Sequence, residues 1–239
     1  MRLSPRVATL FAVAALPLAL TACSSGSSHD DGGVSAKPAK AADPNAGLAT
    51  GARLKTALAP ASAMPAGLTL EAGGSSDSGG TFLAPSARKA GKPDCGRLET
   101  TSWIQVSGFK GGVSFAQNDY ANKDQTSLVA QEIDSFQGTT AATVMKDLRA
   151  VAAECATYTD TDDHAQVKVT GAATGGLGDE AYTMTLTSSH WQDGQTLIAA
   201  RSGKSVVTVL STAGGNNGAA AAKKVTTEIL ASLKGLKAA

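Results

Sequence analysis

Aromatic side chains are scarce in this sequence: two Trp, three Tyr and five Phe make up 4% of its 239 residues. So few rigid apolar anchors argue against an obligate hydrophobic interface. An excess of either charge is also missing. Lys plus Arg number 21 and Asp plus Glu 20, so the basic field by which nucleic-acid binders draw in phosphates is not part of the overall balance, and DNA and RNA are excluded as partners. Histidine and cysteine occur three times each, and the sequence holds no H-E-x-x-H, no C-x-x-C and no G-x-S-x-G. What is present is a hydrophobic fraction of 42%, enough for one sizeable core.

The one long apolar run lies at the start. Arg2 and Arg6 precede Val7 to Leu20, a basic region and an apolar stretch of secretory length that is too short to span a bilayer. It ends in Leu20-Thr21-Ala22-Cys23, which resembles the bacterial lipobox, with the Cys23 thiol as the site of diacylglyceryl attachment. More than one acyl chain gives stable anchoring where a single chain is marginal. The expected location is therefore the extracytoplasmic face of a cell membrane, reached through a lipid anchor. Loss of residues 1–22 removes two cations, leaving 19 basic against 20 acidic residues, so charge adds nothing to that attachment. With Cys23 acylated, Cys95 and Cys155 remain in an oxidising compartment. One disulfide is the simplest arrangement, and two free structural thiols are the alternative.

Residues 23–50 are rich in Ser, Gly, Ala, Asp and Pro and read as a lipidated, disordered stalk, since they have little apolar surface to set against chain entropy. Residues 51–93 read as a loosely packed arm with one short helix around Leu54 and Leu58, ended by Pro60. From Asp94, a possible N-cap, a helix is expected through Leu98 towards Trp103. Strands are expected at Val113 to Tyr120 and Leu128 to Phe136. A helix then carries Val144, Leu148, Val151 and Cys155 on one stripe. Ala165 to Val169, Ala181 to Ser188, Thr196 to Arg201 and Ser205 to Leu210 follow as strands, the last two joined across Ser202-Gly203-Lys204. Val225, Ile229 and Leu233 mark a closing helix from Ala219 to Leu236. This order predicts an α+β fold, a twisted antiparallel sheet flanked by helices, with one disulfide and a preceding disordered stalk.

The chemical motifs are weak. Gly176-Leu177-Gly178-Asp179-Glu180-Ala181 matches G-x-G-x-x-A, but a strand-like segment follows it where a phosphate-cradling turn needs a helix. Asp160-Thr161-Asp162-Asp163-His164 groups acids with a histidine yet lacks the Gly and Glu that an EF-hand places at its sixth and twelfth positions. Ser86-Ala87-Arg88-Lys89 and Ser107-Gly108-Phe109-Lys110 both match S-x-x-K, without the buried helix start or the K-T-G that serine acyl-enzymes need. His29 falls in the stalk, and His164 and His190 have no recognisable nucleophile. No metal and no cofactor is expected. Trp191, between His190 and Gln192-Asp193-Gly194 in a hairpin loop, is either a ligand-stacking residue or part of the core.

Several features in sequence carry a resemblance. They are Cys95 with Trp103, the helix Val144-Met145-Lys146-Asp147-Leu148-Arg149-Ala150 leading to Cys155, the turn at Gly176 to Ala181, the hairpin from Ile198 to Val209 and the closing helix. In that order they resemble actinobacterial lipoproteins carrying the PknH-like extracellular sensor domain. The resemblance implies that residues 94–239 form a Mog1/PsbP-like domain with a cleft for a small ligand, and it brings no catalytic residues. It departs from the four-cysteine pattern of the kinase sensors and has no kinase domain, so a soluble binding role or a partnership with another membrane protein is expected. The expected function is a non-enzymatic envelope lipoprotein that binds a small cell-envelope molecule or an envelope protein. An envelope hydrolase and a purely structural accessory lipoprotein are the alternatives. Cys23→Ala is expected to release the protein from membranes into the medium, scored by fractionation; retention in the membrane fraction counts against the lipobox.

Overall fold

Alternating burial builds strands such as Gln166–Ala173, and continuous apolar runs build the central ones. In the computed structural model, which describes residues 42–89, 91–161 and 164–237, these strands are β1 (Thr69–Asp77), β2 (Ser114–Ala121), β3 (Leu128–Ser135), β4 (Thr157–Thr159), β5 (Gln166–Ala173), β6 (Glu180–Ser188), β7 (Gln195–Ser202) and β8 (Ser205–Ser211). The helices are α1 (Gly51–Lys55), α2 (Thr140–Glu154) and α3 (Ala219–Lys237). The expected leader, Cys23 and the stalk as far as residue 41 lie outside the described residues.

All strands join one antiparallel sheet of eight, in the order β1-β2-β3-β8-β7-β6-β5-β4. Two meanders, β1 to β3 and β4 to β8, therefore meet only where β3 pairs with β8, with Ala130 opposite Leu210 and Ile133 opposite Val207. The α+β architecture expected from the sequence is the one observed.

Each sheet face has its own core. On one, Ile133, Val207, Val209 and Ile198 pack under Val225, Ile229 and Leu233 of α3, joined by Leu54 and Leu58 from the arm. On the other, Met184, Leu197, Val206 and Leu210 lie under Val144, Leu148 and Val151 of α2 and under Trp103. Glu180 fastens α2 to the start of β6, accepting from Arg149 Nη2 and Arg201 Nε at 2.7 Å each. Burial alone would raise the Glu180 carboxyl, but the two guanidiniums outweigh it and hold it below the usual carboxylate range.

The structure departs from expectation towards the amino terminus. Asp43 to Thr50, assigned to the stalk, belong to the folded unit: Ala49 O accepts from Ser114 Oγ (2.7 Å), and Asn45 Oδ1 from Gln137 Nε2 (2.8 Å). The arm is less loose than its composition suggests. Leu54, Ala57, Leu58, Ala59, Ala63 and Met64 are buried, and the enclosed Gln131 amide grips both main-chain groups of Ala59, at 2.8 and 2.9 Å. These side chains fill the part of the sheet that α3 does not cover, which outweighs the glycine and proline around them. β1 was not expected at all, because its Gly73-Gly74 and serines carry no apolar alternation; it forms by pairing with β2 across a register shift between Leu70 and Ser75. The three-residue β4 was too short to register as a pattern.

Cys95 and Cys155 are bonded to each other, which settles the choice between a bridge and two thiols. The bridge closes a loop of 60 residues, for which chain entropy gives about 4 kcal/mol as an upper figure. Replacing both cysteines with alanine is expected to lower stability by about 2–4 kcal/mol in denaturant melts. Non-reducing peptide mapping should recover the two peptides linked, and two alkylatable thiols in the native protein would contradict the bond.

Candidate functional site

Where one helix was expected from Asp94, the chain makes two 3-10 turns, Cys95–Glu99 and Thr101–Gln105. Asp94 does not cap the first; its carboxylate instead accepts from Arg97 Nε at 3.1 Å. Thr100 is extended between the turns and caps the second, its hydroxyl accepting from Ser102 N at 3.0 Å. Such short turns have little intrinsic stability, so side chains must hold them.

Three ties do so. The disulfide joins Cys95 to the end of α2. Trp103, fully buried, donates its indole N–H to Thr208 Oγ1 on β8 at 2.7 Å. Tyr158 on β4 donates to Glu99 Oε1 at 2.5 Å. Burial first, and then the adjoining Glu99 carboxylate, push the Tyr158 phenol far above its ordinary value, so it stays a donor.

Against this layer lies the end of the arm. Lys89 N donates to Gly108 O (2.9 Å) and Arg88 Nε to Ser107 O (3.2 Å), while Arg88 also reaches Asp147 of α2 at 3.4 Å. Gly108 has φ +90°, and a Cβ there would run into the Lys89 carbonyl oxygen, so the close approach depends on glycine. The two S-x-x-K segments are thereby brought side by side. Ser86 accepts from Lys110 N and donates to Gly111 O, both at 3.2 Å, and Ser107 donates to Ile104 O at 2.6 Å. Both hydroxyl protons are committed to main-chain carbonyls, and among the described residues neither serine pairs with its lysine.

The lysines open instead onto a cleft of about 270 Å³ between the arm and the 3-10 turns. Lys89, Lys92, Arg97 and Lys110 line it, faced by the single carboxylate of Asp94. Its apolar lining comes from Pro93, Val106 and Phe109. The space is shallow, and Val106 and Phe109 in its lining belong to the α2-side core and show it little of their surface.

The remaining candidates lie elsewhere. Trp191 is partly buried against the α2-side core, its indole nitrogen enclosed without a hydrogen-bond partner, and it does not line this cleft. His164 and His190 are exposed, and among the described residues neither ring has a side-chain partner. Asp162 and Asp163 of the acidic loop lie outside the described residues, and no group of three or more His, Cys, Asp or Glu among the described residues is placed to hold a metal. Gly176 to Asp179 form a turn between β5 and β6, as expected, and Glu180 and Ala181 begin β6. A side chain at Gly178 (φ +62°) would strike the Arg201 carbonyl oxygen, and the Asp179 carboxylate accepts from Gly203 N at 2.6 Å. No described helix is long and apolar enough to cross a membrane.

Sequence reasoning met Lys89 and Lys110 only as parts of a serine motif and passed over Lys92 and Arg97. The available signal was local: Arg88, Lys89 and Lys92 crowd into five positions of a chain whose charges otherwise balance.

The fold is similar to the extracellular domain of PknH from Mycobacterium tuberculosis, with a TM-score of 0.54, 14% identity, and coverage of 76% of this chain and 96% of that one. At this identity the likeness is one of fold. No protein-family model matches the sequence, and no curated protein matches it.

Gly108→Ala is expected to detach the arm from the 3-10 layer at a cost of about 1–3 kcal/mol, from strain and the lost close approach. Hydrogen exchange should show lost protection at the amide of Lys89 while the amides of β3 and β8 stay protected; unchanged protection at Lys89 would contradict it.

Proposed function

We propose that this chain is an extracytoplasmic lipoprotein, anchored to the cell membrane through Cys23, whose folded domain is a non-enzymatic, sensor-like binding module for a small cell-envelope molecule or an envelope protein. The observation that carries the reading is the Cys95–Cys155 disulfide, which belongs to an oxidising compartment and at the same time clamps the layer that walls the cleft. A likeness in fold to the extracellular domain of PknH points the same way. Against a hydrolase stands the chemistry of the serines. An acyl-enzyme needs a hydroxyl whose proton passes to an adjacent base, whereas Ser86 and Ser107 give theirs to carbonyls and the nearby lysines face the cleft. The module holds its binding surface outside the membrane and passes its signal by occupancy.

The test is native mass spectrometry of the full chain purified from the host that makes it. A folded protein carrying a co-purifying small molecule or protein in defined stoichiometry is expected. A folded, disulfide-bonded protein that carries none, and gains none when incubated with host envelope extract, would overturn the binding reading.

A further inference from the structure

We propose that the cleft beside the disulfide binds a phosphate-bearing amphiphile, with Lys89, Lys92 and Lys110 holding the phosphate and Pro93, Val106 and Phe109 carrying the adjoining apolar part. This deepens the binding reading above and rests on it. The first ground is the segregation of charge. From Ser86 to Lys110 the chain has five cations and two acids, in a protein that otherwise balances them. Arg88 is taken up by Asp147 and Glu99 by Tyr158, both outside the cleft lining. What remains at the cleft is four cations against Asp94, which is itself paired with Arg97, a local positive excess that attracts anions.

The second ground is the state of those cations. Arg97 is oriented by Asp94 at Nε and by Gln105 Oε1 at Nη1 (2.6 Å), which leaves Nη2 without a partner among the described residues. Lys89, Lys92 and Lys110 are exposed, and their ammonium groups have no hydrogen-bond or ion-pair partner among the described residues, so they are free to reorient towards a ligand. Three lysines on flexible stems suit a multiply charged oxyanion, which each approaches as a point charge, better than a planar carboxylate that one bidentate arginine would read.

The third ground is fit. Lys89 and Lys110 are pinned through their main-chain amides, Lys89 N donating to Gly108 O and Lys110 N to the Ser86 hydroxyl oxygen, so these two charges gather on a frame independent of their own side chains. A volume of about 270 Å³ admits a head group and the first atoms of a chain, not a whole lipid. The shared chemistry is a phosphate ester, whether carried by a membrane lipid or by a soluble envelope intermediate.

The experiment uses the full chain with Cys23→Ala, so that no acyl tail attaches it to vesicles. Inorganic phosphate is titrated against chloride at matched ionic strength, followed by amide NMR. Flotation with phosphatidylglycerol vesicles and with phosphatidylcholine vesicles follows. Saturable phosphate shifts confined to residues 89–110 are expected. Lys89, Lys92 and Lys110 changed together to Gln should weaken binding by about tenfold or more, as three partly exposed charge contacts together amount to one decade. Lys123, Lys168 and Lys204 changed together to Gln carry the same charge loss and should leave binding unchanged. If the cleft triple does not fold, Lys92→Gln alone, about a twofold to threefold weakening, gives the same reading. Binding to phosphatidylglycerol but not phosphatidylcholine vesicles assigns the phosphate to a lipid; binding to phosphate without vesicle binding assigns it to a soluble ester. Equal weakening by both triples, shifts spread over the surface, or no saturable binding would overturn the proposal. If the host-purified chain still carries a ligand in that case, only the phosphate assignment fails; if it carries none, the binding reading fails with it.

Discussion

The antiparallel pairing of β3 with β8 is the contact on which the remainder of the structure depends. It is the single place where the two meanders are joined into one sheet, and it unites residues about eighty positions apart in sequence. Both strands are enclosed on both faces, so their register decides at once which side chains meet α3 and which meet α2. A slip of β8 by one residue would turn Val207 away from α3 and take Thr208 from the indole of Trp103. The pairing thus sets both cores and the seat of the cleft-bearing layer.

The two faces are finished in different ways. Beneath α3, regular helix packing over Val225, Ile229 and Leu233 closes the core, with the arm filling the edge through Leu54 and Leu58. On the opposite face α2 covers only part of the sheet, and the rest is roofed by two 3-10 turns that could not persist alone. A covalent bond, a buried indole and a phenol–carboxylate hydrogen bond substitute for helix propensity there. An irregular roof leaves carbonyls, amides and long side chains at its rim, and it is at this rim that the arm docks and the cations collect.

The legible parts of this fold were those whose signal is local. Val144, Leu148 and Val151 on α2 and Val225, Ile229 and Leu233 on α3 repeat at helical spacing, and the strands from β5 to β8 were each found within a few residues of their bounds. The misses have physical causes. β1 is rich in glycine and serine and is a strand only because β2 offers it an edge. Asp94 looks like a helix cap, but its carboxylate is drawn to Arg97, and Thr100 breaks the run. The serine–lysine motifs drew notice for a reaction their serines do not support, while the lysines they contain became cleft walls.

The sequence by itself determined α2, α3 and the strands β2, β3 and β5 to β8, with the apolar side of each, because those properties depend on neighbours two to four residues away. It also narrowed the disulfide to Cys95 and Cys155, since a single pair remained once Cys23 was set aside. Only the tertiary structure decided that residues 86–89 lie against residues 107–111, that Trp103 meets Thr208 from 105 positions away, and that four cations share one cleft. Those juxtapositions cost loop-closure entropy and are stabilised by contacts that exist only in the assembled sheet, so no periodicity along the chain encodes them.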